Sequence, residues 1–173
     1  MKLSCLQENL SRSLAVVGRA VATRATLPIT QNVLLSTDKS MLKLSATNLE
    51  IAITTWVGAM IEEEGAVTVP ARLLTEFVNS LPSDRIDLEL LSGGGILQLT
   101  CARSQARIHG TDAAVFPAFP TVVEGVAALV APRVLKSAIA RVAFAAATEE
   151  SRPVLTGGDL KLSGARFTRA AAA

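Results

Sequence analysis

Leu10, Leu14, Val17 and Val21 recur at spacings of four, three and four, which predicts a helix with one apolar face. Before it, residues 2–6 have strand character, and Pro28 closes the region. Three strand-like runs follow, at 33–37, 41–47 and 50–57, with Asp38-Lys39-Ser40 as a polar turn between the first two. The order then recurs. Residues 66–69 read as a short strand, and Pro70 is suited to opening a helix. Leu73, Leu74, Phe77, Val78 and Leu81 supply that helix with an apolar face, and Pro82 stops it. Runs at 86–91 and 96–101, joined by Ser92-Gly93-Gly94-Gly95, predict a hairpin, and 104–109 adds a third strand. Residues 1–61 and 66–110 thus share one order: strand, helix, three strands.

A longer repeat is also present. Shifting the chain on itself by 125 positions lays Leu10 on Leu135, Leu14 on Ile139 and Val17 on Val142. The same shift lays Thr26-Leu27-Pro28-Ile29 on Ser151-Arg152-Pro153-Val154. A proline coinciding after the helix is harder to obtain by chance than a matching apolar face. Residues from about 126 onward therefore read as the start of a second copy of the same domain, after a connector at Phe116-Pro117-Ala118-Phe119-Pro120. That copy supplies a strand, a helix from Pro132 to about Ala146 and two strand-like runs.

Composition narrows the functional classes. Half of the 173 residues are hydrophobic, enough for a packed core, but aromatics are only 3%, with one tryptophan and no tyrosine. Platforms that stack single-stranded bases need exposed rings, so that class is disfavoured. No apolar run approaches the length of a membrane span, and no signal peptide is evident. Cys5 and Cys101 lack metal-ligand spacing and suit a reducing, cytoplasmic setting. Net charge is +2 but unevenly spread: residues 1–125 balance at −2 and residues 126–173 at +4.

Catalytic chemistry finds little support. His109 is the only histidine, so a metal site or a Ser-His triad would rest on it alone. The two cysteines sit in strand-like contexts where thiols are usually inert. The Gly93–Gly95 run joins strands instead of opening a helix, and neither it nor Gly157-Gly158 fits a phosphate loop. Three carboxylates at Glu62–Glu64 are expected to diverge from a turn. No catalytic residue, metal or cofactor is expected. Bases are instead placed on helices: Arg12 and Arg19 on the exposed side of the first, Arg72 on the second, and Arg133, Lys136 and Arg141 in the second copy. That pattern would favour a polyanion through sequence-indifferent phosphate contacts.

These residues resemble the bacterial DNA polymerase III beta subunit, the sliding-clamp family. The resemblance rests on Met1-Lys2-Leu3-Ser4, on the segment from Arg24-Ala25-Thr26-Leu27-Pro28-Ile29 to Leu35, and on Ala46-Thr47-Asn48-Leu49-Glu50. It continues through Val69-Pro70-Ala71-Arg72, Phe116-Pro117 and Ser151-Arg152-Pro153-Val154-Leu155-Thr156-Gly157, in order along the chain. It implies an α+β DNA-clamp fold, with strand-helix-strand-strand-strand repeats and helices on one face of antiparallel sheets. Domain one would span 1–120, and 121–173 would be a truncated central domain. The implied function is non-catalytic: a cytoplasmic homodimeric ring that encircles duplex DNA and confers processivity on the replicative polymerase. Its partners are double-stranded DNA, the polymerase catalytic subunit and the clamp loader, the last two through short peptide motifs, with no membrane role.

The resemblance also assigns residues. Arg24 matches a DNA-contacting position and Arg72 starts the second channel helix, joining Arg12 and Arg19 as the DNA-binding set. Arg103, Ala106 and Ile108 match the strand that pairs with a partner subunit, with Ala106 where some relatives place a large aromatic. Arg152 and Leu155 match part of the pocket for partner peptides. A chain of this length is expected neither to close a ring, nor to load on DNA, nor to bind such peptides with normal affinity. The alternative from another class is a self-associating structural domain that does not bind DNA.

Overall fold

In a computed structural model of the chain, residues 1–23, 27–91, 93, 95–119, 129–147, 153–163 and 166–171 are described. They form two units, Met1–Pro120 and Thr121–Ala173.

The first unit contains β1 (Lys2–Leu6), α1 (Gln7–Val17), β2 (Asn32–Asp38), β3 (Met41–Thr47) and β4 (Ala52–Glu63). It continues with β5 (Ala66–Pro70), α2 (Ala71–Ser80), β6 (Arg85–Leu90), β7 (Ile96–Cys101) and β8 (Ser104–His109). The eight strands make one antiparallel sheet in the order β5-β2-β3-β4-β1-β6-β7-β8. It comes close to closing on itself, because Thr68 of β5 exchanges two backbone hydrogen bonds with Thr111, at 3.0 and 2.8 Å.

The two halves are exchanged in the ladder. β1 pairs with β4 of its own half and with β6 of the other. β5 pairs with β2 of the other half and, through the Thr68–Thr111 bridge just past β8, reaches the end of its own. Each half thus lends its first strand to the other, and this holds two similar five-element pieces in a single sheet.

Alternation along the strands turns Leu3, Leu35, Leu44, Val57, Val67, Leu88 and Leu99 inward. There they share one core with Leu10, Leu14 and Val17 of α1 and Leu74 and Val78 of α2. Gln7 Nε2 donates to the Val78 carbonyl and Ser11 Oγ to Asn79 Oδ1, so the start of α1 lies against the end of α2. The helices run antiparallel, side by side.

In the second unit the helix expected to reach about Ala146 ends at Ala140, with a 3-10 turn at Ala143–Ala145 after it. Three details of the first unit also differ from the sequence expectation. The strand expected at 50–57 runs on to Glu63, because beyond Gly58 it leaves β3 and pairs with β1. Glu62 and Glu63 are therefore strand residues, and Glu62 meets Lys2 Nζ at 2.7 Å instead of standing on a turn. Leu73, counted in the apolar face of α2, is 56% exposed, since the buried stripe follows Ala71, Leu74 and Val78. Finally, α1 ends at Val17, so Arg19 lies in a following 3-10 turn, Gly18–Ala20.

The second unit repeats the first half. It has α3 (Pro132–Ala140), β9 (Asp159–Ser163) and β10 (Arg166–Ala170), the two strands antiparallel. In the first unit the Ala22 amide donates to the Thr30 carbonyl at 3.1 Å; in the second, Ala147 donates to Leu155 at 2.9 Å. Those pairs are related by the same shift of 125 positions that the sequence shows. A 3-10 turn at Pro153–Leu155 likewise corresponds to the one at Pro28–Gln31.

Candidate nucleic-acid interface

The outer side of the helical layer is built from the residues α1 and α2 do not bury. On α1 these are Glu8, Arg12, Ala15 and Val16, with Arg19 just beyond; on α2 they are Arg72, Leu73, Glu76, Asn79 and Ser80. Where the end of α1 meets the start of α2, a groove of about 660 Å³ opens, lined by Gly18, Val21, Thr23, Gln31, Ala71 and Arg72. The first turn of α2 carries no acidic residue and no side-chain cap. Thr23 and Gln31 are uncharged, so the charge pattern of the sequence does not single them out. Their signal is position: Thr23 precedes the proline turn and Gln31 is its last residue.

Electrostatically the face is less basic than the arginines alone suggest. Arg72 Nε donates to Glu76 Oε1 at 2.7 Å, one turn along the helix. That hydrogen bond, and then the charge of Glu76, raise the Arg72 pKa further above its ordinary value. Glu8 stands on the same layer. Among the described residues, Arg12 and Arg19 form no ion pair. The second unit is different: Arg133, Lys136 and Arg141 are all exposed, α3 has no acidic residue, and none of the three is paired among the described residues.

The remaining assigned positions separate. Arg24 and Arg152 lie outside the described residues. Leu155 is half-buried in its 3-10 turn, with its carbonyl occupied by Ala147. Arg103 is exposed in the β7–β8 turn beside Ala102, whose φ is +49°. β8 pairs only with β7 among the described strands, so it presents a backbone edge along Ser104–His109. Ala106 is half-buried on that edge strand, while the Ile108 side chain belongs to the unit's own core. What Ile108 offers outward is backbone only.

Cys5 and Cys101 are buried free thiols. Burial, reinforced by Asp87, pushes the Cys5 thiol up to about 12, and burial also raises Cys101. Among the described residues no cluster of His, Cys, Asp and Glu could hold a metal ion, and no helix is long and apolar enough to cross a membrane.

Two antiparallel helices laid on a nearly closed sheet of two exchanged halves define the sliding-clamp fold. The solved sliding clamp of Bacillus subtilis superposes with a TM-score of 0.93 at 24% identity, over 99% of this chain and 47% of that one. The beta subunit of Pseudomonas aeruginosa DNA polymerase III superposes at 0.87 with 32% identity, over 99% of this chain and 47% of that one. In sequence, the beta sliding clamp of Synechocystis is 41% identical over 172 residues, which cover 95% of this chain and 44% of that protein. Residues 1–120 match the family described as DNA polymerase III beta subunit, N-terminal domain, and the chain belongs to that family. It spans less than half the length of the curated relatives it matches.

Proposed function

We propose that this chain carries the N-terminal part of a DNA sliding clamp, which encircles duplex DNA and confers processivity on the replicative polymerase without catalysis of its own. Residues 1–120 would be the complete first domain, and 121–173 part of the central one. The observation that carries the reading is the family match over the exchanged two-half domain, whose α1–α2 layer leaves Arg12 and Arg19 exposed and unpaired among the described residues. Such a layer holds phosphates by charge and reads no base edges, which suits a sleeve that must slide. Arg24 and Arg72 would complete the DNA-facing set. The free edge of β8, from Arg103 through Ala106 to the Ile108 backbone, would pair with a second subunit in the ring. Arg152 and Leu155 would contribute to a pocket for short peptide motifs of the polymerase and the clamp loader, and the setting would be cytoplasmic.

The test is fluorescence anisotropy of two labelled duplexes of unrelated sequence, titrated with the chain across a salt series. Equal binding to both, weakening as salt rises and reduced further by Arg12→Glu with Arg19→Glu, is expected. Salt-independent binding, or a preference for one sequence, would sink the reading.

A further inference from the structure

The face of β4 turned away from α1 carries Trp56, Gly58, Met60 and Glu62, while Val57, Ala59 and Ile61 of the same strand point inward. Trp56 is 47% exposed and Met60 is 68% exposed. Gly58, between them, has open space where a Cβ would stand. Met41 is the cross-strand neighbour of Gly58, and Leu6 at the end of β1 is exposed as well. The result is an apolar strip with a notch at its centre. Single exposed apolar residues are ordinary, but a contiguous run of large ones marks an interaction surface.

Trp56 is also held in one orientation. Its Nε1–H donates to Asp38 Oδ2 at 2.9 Å, and Lys43 Nζ sits 5.8 Å from the ring centroid. A fixed aromatic ring beside a notch makes a good anchor, because little side-chain freedom is lost when a partner covers it.

Charge differs at the two ends of the strip. At the Trp56 end Lys43 and, on the following turn, Lys39 outnumber the one carboxylate, Asp38, which is held by the Trp56 Nε1–H; neither lysine has an ion-pair partner among the described residues. Beyond Met60 the strip runs into a shallow depression of about 310 Å³ whose charged lining is Lys2 and Arg85 against Glu62, Asp87 and Glu89. There Glu62 and Asp87 already hold Lys2 and Arg85, whereas Glu89 has no ion pair among the described residues.

We infer that this strip is a docking surface for an amphipathic helix of a partner protein, with aliphatic residues over the Gly58 notch, an acidic end at Lys39 and Lys43 and a basic end at the Glu62–Glu89 depression. A helix with acidic residues in its first turn and basic residues in its last is favoured by its own dipole, so the required charge order is one a helix readily carries. The surface lies on the opposite side of the sheet from α1, so it can be occupied while the helical layer stays free.

Trp56 is the only tryptophan in the chain, so its emission reports on this site alone. The probe is a synthetic helical peptide with Leu and Met along one face, Glu in its first turn and Lys in its last. Two controls keep the apolar face and carry Glu at both ends or Lys at both ends. The dipolar peptide is expected to shift Trp56 emission saturably, with each control weaker by about tenfold. Met60→Lys should abolish the shift without moving the urea midpoint, and Lys43→Glu should turn the preference towards the all-Lys peptide. Equal affinity for all three peptides, or no saturable shift, would overturn the proposal. A shift produced by concentrating the chain alone and removed by Met60→Lys would overturn it too, naming a second copy as the occupant.

Discussion

Gln7 and Val78 are joined across 71 positions of sequence by a hydrogen bond of 2.8 Å, from the Gln7 side-chain amide to the Val78 carbonyl. Gln7 begins α1 and Val78 lies in the last turn of α2, and the bond is buried. Val78 is one of the last carbonyls of α2, which lack partners within the helix. The other group on it is the Leu81 amide, at 3.3 Å. A polar side chain from the first half therefore completes a backbone group of the second.

Gln7→Ala removes that bond and leaves a void, with the Val78 carbonyl retaining its weaker partner. A loss of about 1–3 kcal/mol is expected. Gln7→Glu should cost at least as much at neutral pH, since an ionised carboxylate cannot donate to a carbonyl. Trp56 lies in the first unit, so urea unfolding followed by its fluorescence reads the effect where it arises.

The sheet closure supplies a second expectation. Thr68 Oγ1 donates to the Thr111 carbonyl at 3.0 Å and accepts from Asn32 Nδ2 at 3.3 Å. Gly110 lies against the same seam: an added Cβ would stand 2.6 Å from the Thr68 carbonyl oxygen and 2.7 Å from Val67 Cγ2. Backbone cannot swing aside as a flexible side chain can. Gly110→Ala should therefore destabilise the first unit by about 1–3 kcal/mol, while Thr68→Val, which keeps the shape and loses the hydroxyl, should cost about 1 kcal/mol. Hydrogen exchange at the Thr68 and Thr111 amides should accelerate in the glycine variant.

The buried thiols predict an alkaline weakening. A thiol whose folded pKa is raised binds its proton more tightly folded than unfolded. Its contribution is present in full below the unfolded value and is lost as pH rises through the folded one. For Cys5 that window runs from the ordinary 9.0 to about 12. Lys2 shifts in the same direction through its hydrogen bond to Glu62, but both groups are exposed and solvent screens the pair. Stability followed by urea midpoint should fall across this range, and Cys5→Ala should flatten the fall despite lowering stability at neutral pH. At pH 8 neither thiol should react with an aromatic disulfide reagent until the chain is unfolded.

Much of this architecture is legible in residue order. The four-and-three spacing of Leu10, Leu14 and Val17 marks a stripe that does bury, and the coincidence of Pro28 with Pro153 marks modules that share a hydrogen bond at the same shift. Partner exchange is harder to read. Nothing in Gly58 or Glu62–Glu63 announces that β4 outlasts β3, because strand length there is set by β1, distant in sequence. The candidate binding face is also only half legible. Arginine positions were visible, but whether each is spent on a neighbour depends on rotamers, as the Arg72–Glu76 pair shows. In the sequence Trp56 stands out only as the single tryptophan, since its exposure follows from the register of β3 and β4.

That pair gives the sharpest test of the helical layer as a phosphate-facing surface. Arg72 meets Glu76 at 2.7 Å, with both side chains largely exposed. If the layer faces DNA, Glu76 both repels phosphate and occupies the guanidinium that would bind it. Glu76→Gln removes the repulsion and frees Arg72, so binding to duplex DNA should tighten. One recovered phosphate contact should also steepen the dependence of log K on log salt by about 0.9. Arg72→Gln in the Glu76→Gln background should return the slope to its starting value. A Glu76→Gln chain with unchanged affinity and slope would place DNA elsewhere on the molecule, and Arg133 and Lys136 of α3 with Arg141 just beyond it, unpaired among the described residues, would become the surface to mutate next.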